Sequence, residues 1–334
     1  MQKRIESIAR QFLEKIKEKD CPEIQILSHL DTDGITSAAI MIKTLEKLDK
    51  KFSLKIVKNL EEHMIYDLSK NKITLFLDLA SGSFDYIKQA GLKNVFIIDH
   101  HEIIQEVPEN ICIINPEIHT PDKQKISGSG LTYLFCREIY PGSASKDLSK
   151  LAVLGMIGDM LEKNIDKISN QILNQEEIIR RRGLLLYPST RPINKVLEFC
   201  SNPYIPEVTG NAKGANNFLR EINIKPENGK HKSLMELNKD EMSKLVTAIL
   251  LKRPKTNHAD ESIIGDIFLI KLFNKLEDAR ELSAMINACG RLGESETAVQ
   301  LCLEIPGARK KAETLYGKYK RFLVSSLDFI SKAE

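Results

Sequence analysis

Four clusters of acidic and histidine residues stand out in the first half of the chain, each at the end of an apolar run. They are residues 28–34 (SHLDTDG), the single Asp78, residues 99–101 (DHH) and residues 158–159 (GD). Polar residues that follow the strands of an open α/β sheet converge on one crevice. Carboxylates and imidazoles that meet there predict a metal site, and predominantly oxygen ligands favour Mn²⁺ or Mg²⁺ over metals that prefer thiolate.

For two of the clusters, taken alone, the sequence also allows a simpler explanation than metal binding. Asp31 and Asp33 could grip cations at a strand end, but an Asp-rich turn also caps helices. His100 and His101 are adjacent and point in different directions, so one could bind a metal while the other faces a substrate, with Asp99 orienting a ring. The alternative is a pair of solvated loop histidines.

Short β-branched runs alternate with longer helical patterns from residue 23 onward. This rhythm predicts an α/β fold with a mostly parallel sheet, flanking helices and right-handed crossovers. The predicted strands cover residues 24–28, 53–57, 73–77, 95–98 and 111–114, and the predicted helices between them cover 36–48, 61–69 and 83–90.

The rest of the chain predicts further helices and a second, smaller α/β domain. Residues 131–140, 148–161 and 166–182 have helical patterns, the last as a long connecting helix, whereas 183–232 are rich in Pro, Gly and Asn and indicate an irregular linker. Beyond it we expect a strand at 262–273, a helix at 276–288, a strand at 297–303 and a helix at 307–331. The predicted domains are therefore 1–182, a connector at 183–232, and 233–334.

Composition excludes several classes of protein. The 334 residues are 42% hydrophobic and 28% charged with a formal net charge of +3, which is typical of a globular protein and not of a polybasic nucleic-acid coat. The six cysteines form no C-x-x-C pair, so we expect no structural zinc site but reduced thiols in a cytoplasmic protein. No apolar run approaches the length of a membrane span.

In their order, these motifs resemble those of the DHH phosphoesterase superfamily: His-x-Asp-x-Asp-Gly, a lone Asp, Asp-His-His followed by Asn115-Pro116, and Gly-Asp. Residues 278–281 (DARE) and 286–293 (INACGRLG) resemble the DHH-associated substrate-binding domain of archaeal RecJ-like proteins. Residues 189–192 (STRP) resemble the connector of those proteins.

The resemblance implies roles for individual residues. The implied metal ligands, around two Mn²⁺ or Mg²⁺ ions bridged by Asp78, are His29, Asp31, Asp33, Asp78, His100 and Asp159. His101 would contact the scissile phosphate, and Asp99 would hold the histidine pair. The substrate would also be bound by a loop with Arg291 as a phosphate clamp, together with Asn287, Gly290 and Gly293.

The resemblance also implies an activity. We expect a single-strand-specific exonuclease that releases mononucleotides from DNA or RNA by two-metal hydrolysis, with replication or repair proteins as candidate partners. One alternative is a phosphodiesterase for very short oligonucleotides or cyclic dinucleotides. Another is a RecJ-like subunit with a structural role in the replication complex.

Overall fold

The structure, a computed structural model, describes residues 1–18, 23–119, 125–142, 147–175, 177–200, 203–252 and 263–331. The chain has an α/β fold and divides into two compact units. The first comprises residues 1–178 and 282–334, and the second comprises residues 179–281. None of the helices in the described ranges is both long and apolar enough to cross a membrane.

A five-stranded parallel sheet forms the centre of the first unit. Its strand order is β2-β1-β3-β4-β5, with β1 at Ile24–His29, β2 at Phe52–Val57, β3 at Ile73–Leu77, β4 at Asn94–Ile98 and β5 at Ile111–Ile114. All five predicted strands are present. Every residue of β3 is buried, as in a strand that is covered on both faces. Because β1, β3 and β4 are parallel neighbours, the residues that follow them lie at one edge of the sheet.

Helices cover the sheet of the first unit. They are α1 at Gln2–Lys17, α2 at Thr32–Lys47, α3 at Glu62–Tyr66, α4 at Phe84–Ala90, α5 at Pro116–His119, α6 at Gly128–Ile139, α7 at Ser149–Gly158 and α8 at Lys167–Leu173. The buried ring of Phe12 on α1 meets Phe96 of β4 and Phe135 of α6 edge to face, with ring centroids 5.2 and 5.5 Å apart. These contacts fix α1 and α6 to the sheet.

In its described residues, the second unit contains a three-stranded sheet in the order β6-β7-β8, three α-helices and a short 3-10 helix at Leu234–Glu236. Its elements are β6 at Ile178–Leu184, α9 at Ile193–Phe199, α10 at Ala212–Glu221, α11 at Lys239–Lys252, β7 at Ile264–Leu272 and β8 at Lys275–Asp278. The expected long helix over 166–182 is wrong, since α8 ends at Leu173 and β6 follows. The expected irregular linker over 183–232 is also wrong in part, because α9 and α10 lie within it and bury Val196 and Phe218 in the core of this unit.

The three C-terminal helices are α12 at Ala279–Arg291, α13 at Ser295–Cys302 and α14 at Ala308–Ser331. From residue 282 onward they belong to the first unit, so the chain divides differently from the expected 233–334 domain. The strand expected at 297–303 is wrong. The buried residues of this segment are Thr297, Ala298, Val299, Leu301 and Cys302, which include the i, i+4 pairs of a helix face, and α13 packs against α2.

Helix α12 supports the turn between β1 and α2. The Thr32 hydroxyl donates a hydrogen bond to the Ser283 carbonyl at 2.9 Å. Further along α12, a Cβ placed on Gly290 would lie only 1.9 Å from the Leu30 carbonyl oxygen. Gly290 therefore lets the helix and the turn approach at backbone distance, and this turn carries the first acidic cluster.

Five cysteines fall in the described ranges, and all are free thiols. Cys136, Cys200, Cys289 and Cys302 are buried, and Cys112 is partly buried. Cys21 lies outside the described residues.

Gly290→Ala should destabilise the first unit, because the added methyl group must displace either α12 or the Leu30 carbonyl. We expect a loss of about 1–3 kcal/mol, as for other overpacked sites, measured by urea unfolding. Gly317→Ala on α14 is the matched control. Its Cβ would meet nothing within 4 Å, so the better helix propensity of alanine should leave stability unchanged or slightly raised. Equal effects of the two substitutions would contradict this packing role.

Candidate metal centre

The candidate site is built from the ends of three neighbouring strands and one helix. His29 is the last residue of β1, Asp78 follows β3, and Asp99 follows β4. Asp159 is the residue that ends α7. The structure thus brings together all four clusters that the sequence predicted.

Asp78 lies between two imidazoles. Its Oδ2 is 3.7 Å from His29 Nδ1, and its Oδ1 is 3.2 Å from His100 Nε2. Its side chain is 1% exposed, and its backbone takes the left-handed region at φ +57°. Within the described part of the chain, neither oxygen accepts a hydrogen bond of good geometry. A buried carboxylate that lacks directed donors is costly, and a cation on each oxygen would stabilise it.

The candidate ligands form three overlapping groups, and the ligand atoms within each group lie within 4.8 Å of one another. His29, Asp31 and Asp78 form the first group, Asp33, His100 and Asp159 the second, and Asp78, His100 and His101 the third. His29 Nδ1 is 3.0 Å from Asp31 Oδ2, and His100 Nε2 is 3.2 Å from Asp159 Oδ2. Four carboxylates with two imidazoles are a donor set that suits Mn²⁺ or Mg²⁺. The residues present therefore fit the two ions expected from the sequence.

Asp31 serves the turn as well as the cluster. It is the N-cap of α2, where its Oδ1 accepts the Gly34 N–H at 3.0 Å while its Oδ2 faces His29. The capping role and the metal-ligand role are therefore compatible, because each uses a different oxygen.

Asp33 is held by the start of helix α6. The Gly128 and Ser129 N–H groups donate to its two oxygens at 2.5 and 3.0 Å. The small residues 127–130 thus form a helix N-terminus that binds a carboxylate of the protein, with Ser127 as the cap through the Gly130 N–H. This contact fixes Asp33, whose side chain is 0% exposed, without using all its lone pairs.

Asp159 reaches the cluster because α7 ends close to α2. A Cβ on Gly158 would lie 2.8 Å from Thr32 Cβ, so a larger residue would push the two helices apart. Met160, directly after Asp159, has a left-handed φ of +56°. The glycine of the Gly-Asp motif is therefore a close-packing position.

Asp99 orients the second histidine of the pair. Its Oδ1 is 2.7 Å from His101 Nδ1 and accepts the His100 N–H at 2.8 Å, while its Oδ2 accepts the Ser81 N–H at 2.9 Å. Burial disfavours the ionised carboxyl, but the hydrogen bond with His101 and the Ser81 contacts outweigh it and lower the pKa of Asp99 to about 2. Asp99 is thus a fixed negative charge behind His101.

Sequence reasoning assigned no role to Asn115, which supports the same loop. Its Nδ2 donates to the His101 carbonyl at 2.9 Å and to Ser81 Oγ at 3.0 Å, and the whole residue is buried. The Asn115-Pro116 pair after the third motif was the available signal, but its partners are distant in sequence.

The cluster is strongly negative. The contacts with Asp31 and then Asp78 raise the pKa of His29 to about 10. Burial opposes charge on His100, yet the contact with Asp78 and the charge of Asp33 raise its pKa to about 10. Burial and neighbouring carboxylates raise the pKa of Asp33 and Asp159. Protons and metal cations would compete for the same oxygens, as in other carboxylate sites.

These groups open into a cleft of about 500 Å³. Its lining comprises Asp31, Asp78, His100, His101, Glu117, Lys125, Ile126, Asp159 and Leu161. Sequence reasoning did not select Glu117 or Lys125, which lie outside the four motifs.

The predicted substrate loop does not line this cleft. Asn287, Gly290 and Arg291 lie on α12, where Arg291 Nε donates to Asn287 Oδ1 at 3.2 Å, and Gly293 follows the helix with φ +77°. The expectation that Arg291 lies on a loop is therefore wrong, since the helix continues through it. Gly290 has the packing role described above.

The chain is similar to known protein families and to individual proteins. Residues 23–158 match the DHH family, N-terminal domain, and residues 186–265 match the DHH-CID domain. The uncharacterized protein MJ0831 of Methanocaldococcus jannaschii is 32% identical over 97% of this chain and 74% of that protein. The single-stranded-DNA-specific exonuclease RecJ of Bacillus subtilis is 26% identical over 42% of this chain, which spans 19% of that protein.

Two solved structures share the fold at low sequence identity. CDC45 from Entamoeba histolytica superposes with a TM-score of 0.71 at 14% identity, over 97% of this chain and 73% of that one. RecJ from Thermus thermophilus in complex with Mn²⁺ superposes with a TM-score of 0.53 at 17% identity, over 96% of this chain and 37% of that one.

Adding Mn²⁺ should raise the melting temperature of the wild-type protein, because a cation bound only by the folded state stabilises it. At one hundred times the dissociation constant the gain is about 2.7 kcal/mol, or several degrees. Asp78→Asn should fold, since the amide has nearly the same shape, but should lose most of this shift. Asp67→Asn, at an exposed position that ends α3, is the control that should keep it. An undiminished shift in Asp78→Asn would place the cation elsewhere.

Proposed function

The chain belongs to the DHH phosphoesterase superfamily, on its RecJ-like branch of metal-dependent phosphodiesterases, and on that premise we propose that it is an exonuclease of single-stranded DNA or RNA. It removes mononucleotides from a strand end by hydrolysis. The observation that carries the proposal is the buried Asp78 carboxylate, which lies between two groups of oxygen and nitrogen ligands.

Each group of ligands would hold one divalent cation. His29 and Asp31 would hold the first ion, and His100 and Asp159 the second, with Asp33 on the side of His100. Asp78 would be shared, because its two oxygens face the two groups separately. Mn²⁺ or Mg²⁺ bound in this way supplies Lewis acidity and neutralises charge on the phosphate.

His101 would contact the scissile phosphate. It lines the cleft, its side chain is 57% exposed, and Asp99 holds its Nδ1 at 2.7 Å. The hydrogen bond with Asp99 raises the pKa of His101, so the ring is more readily a cation or hydrogen-bond donor towards an anionic oxygen. Asp99 acts through His101 and is a positioning residue.

The size of the cleft is compatible with one nucleotide of a strand. A volume of about 500 Å³ is that of a small-molecule site. The Bacillus subtilis relative is named as single-stranded-DNA-specific, which agrees with this reading.

A second candidate is a structural subunit of a replication complex. The fold likeness to CDC45 over 97% of the chain is compatible with it. The complete set of candidate ligands favours catalysis, and the two roles are compatible in one protein.

Asp99→Asn should reduce hydrolysis about 10–100-fold, the usual effect of losing the partner that orients a histidine at a metal site. Mn²⁺-induced thermal stabilisation should persist, because the predicted ligands are unchanged. Steady-state cleavage and melting curves on the same preparations separate the two effects. If both properties fell together, Asp99 would be needed for metal binding itself.

The proposed activity is tested with end-labelled DNA and RNA strands of about 5 and 30 nucleotides, with Mn²⁺ or EDTA. We expect stepwise shortening of the long strand, dependent on Mn²⁺ and reduced more than about 100-fold in Asp78→Asn. Cleavage confined to the short strands would instead indicate a phosphodiesterase for very short oligonucleotides. Absence of cleavage with all four strands would favour the structural role.

A further inference from the structure

Lys125 lines the cleft of the candidate metal centre and belongs to none of the four motifs. Its backbone is anchored by the residues that follow it. Ile126 is fully buried, Ser127 caps α6, and the Gly128 N–H binds Asp33. The side chain of Lys125 is itself exposed. Lys125 thus belongs to the lining of the cleft, and the residues that follow it are held in place by packing and hydrogen bonds.

The charge of the cleft calls for such a cation. Two divalent ions would match the four aspartates of the cluster and would leave no surplus positive charge for a substrate beyond the scissile phosphate. Each phosphate of an incoming strand adds another negative charge. Among the described residues of the lining, Lys125 is the cation outside the imidazoles, and no described carboxylate lies within ion-pair distance of it.

We propose that Lys125 binds the phosphate adjacent to the scissile one and thereby aligns the strand with the metal centre. This inference rests on the proposed nuclease function. A flexible ammonium group binds phosphate as a point charge and reads no base. The residue would therefore favour substrates with consecutive phosphodiester links and would add no sequence preference.

The competing explanation is that Lys125 only balances the charge of Glu117. In that case its loss would weaken every anionic substrate equally. If it binds one particular phosphate, its effect must disappear when that phosphate is uncharged.

The test combines a substitution of Lys125 in the full chain with the removal of one phosphate charge from the DNA substrate, with Mn²⁺ present. Wild type, Lys125→Gln and Lys125→Arg are compared on DNA hexamers that are either all-phosphodiester or carry one neutral methylphosphonate link at each position in turn. We expect Lys125→Gln to raise KM about 3–10-fold on the normal strand with little change in kcat, and Lys125→Arg to recover most of the loss. At one link the methylphosphonate should abolish the difference between wild type and Lys125→Gln.

Salt dependence gives an independent readout. Losing one phosphate contact to a single strand should reduce the slope of log affinity against log salt by about 0.7. Strand binding is followed by fluorescence anisotropy with Ca²⁺ in place of Mn²⁺. Lys88→Gln, an exposed lysine of α4 that does not line the cleft, is the control that should leave slope and KM unchanged.

The outcomes separate this inference from the proposed function. An equal KM effect on all strands, or an unchanged salt slope, would overturn the role of Lys125 while leaving the nuclease function intact. A wild-type protein that cleaves nothing, yet binds strands with Lys125-dependent affinity, would overturn the nuclease function and support the phosphate contact. If wild type neither cleaved nor bound any strand, both would fall.

Discussion

The structure of the first unit depends on one electrostatic constraint, which is the burial of the Asp33 and Asp78 carboxylates beside each other. Their side chains are 0% and 1% exposed, and the charge of Asp78 adds to burial in raising the pKa of Asp33. Like charges in such surroundings need compensation. Two backbone N–H groups of α6 supply part of it for Asp33, and His100 lies against both carboxylates. Divalent cations would supply the rest.

This constraint explains local features that would otherwise destabilise the fold. Asp78 and Met160 both have left-handed backbone conformations next to the candidate ligands. Such conformations cost about 1–3 kcal/mol and persist where surrounding contacts enforce them. Here the sheet fixes the residue before Asp78, and the close contact of Gly158 with Thr32 fixes the end of α7. The same packing extends to α12, so the C-terminal helices support the first acidic turn.

The sequence predicted the parallel sheet because each strand is a short apolar run. It predicted the meeting of the motifs because the first three follow strands, whereas the fourth ends α7. It did not predict how the C-terminal part packs. Residues 297–303 contain apolar residues that suit a strand or a helix, and only contact with α2 selects α13. In the sequence Gly290 resembles a loop glycine, but it lies in α12, and a side chain at this position would collide with the Leu30 carbonyl. Lys125 lies between predicted elements, where spacing carries no signal, and the Asn115-Pro116 pair did not reveal the partners of Asn115, which are distant in sequence.

We propose that the cluster holds two divalent cations that share Asp78, and anomalous diffraction from Mn²⁺-soaked crystals of the protein tests this proposal most directly. We predict two anomalous peaks about 3.5–4 Å apart, one beside His29 and Asp31 and the other beside His100 and Asp159. Anomalous density that is absent from this cluster, or a single ion that does not contact Asp78, would contradict the account.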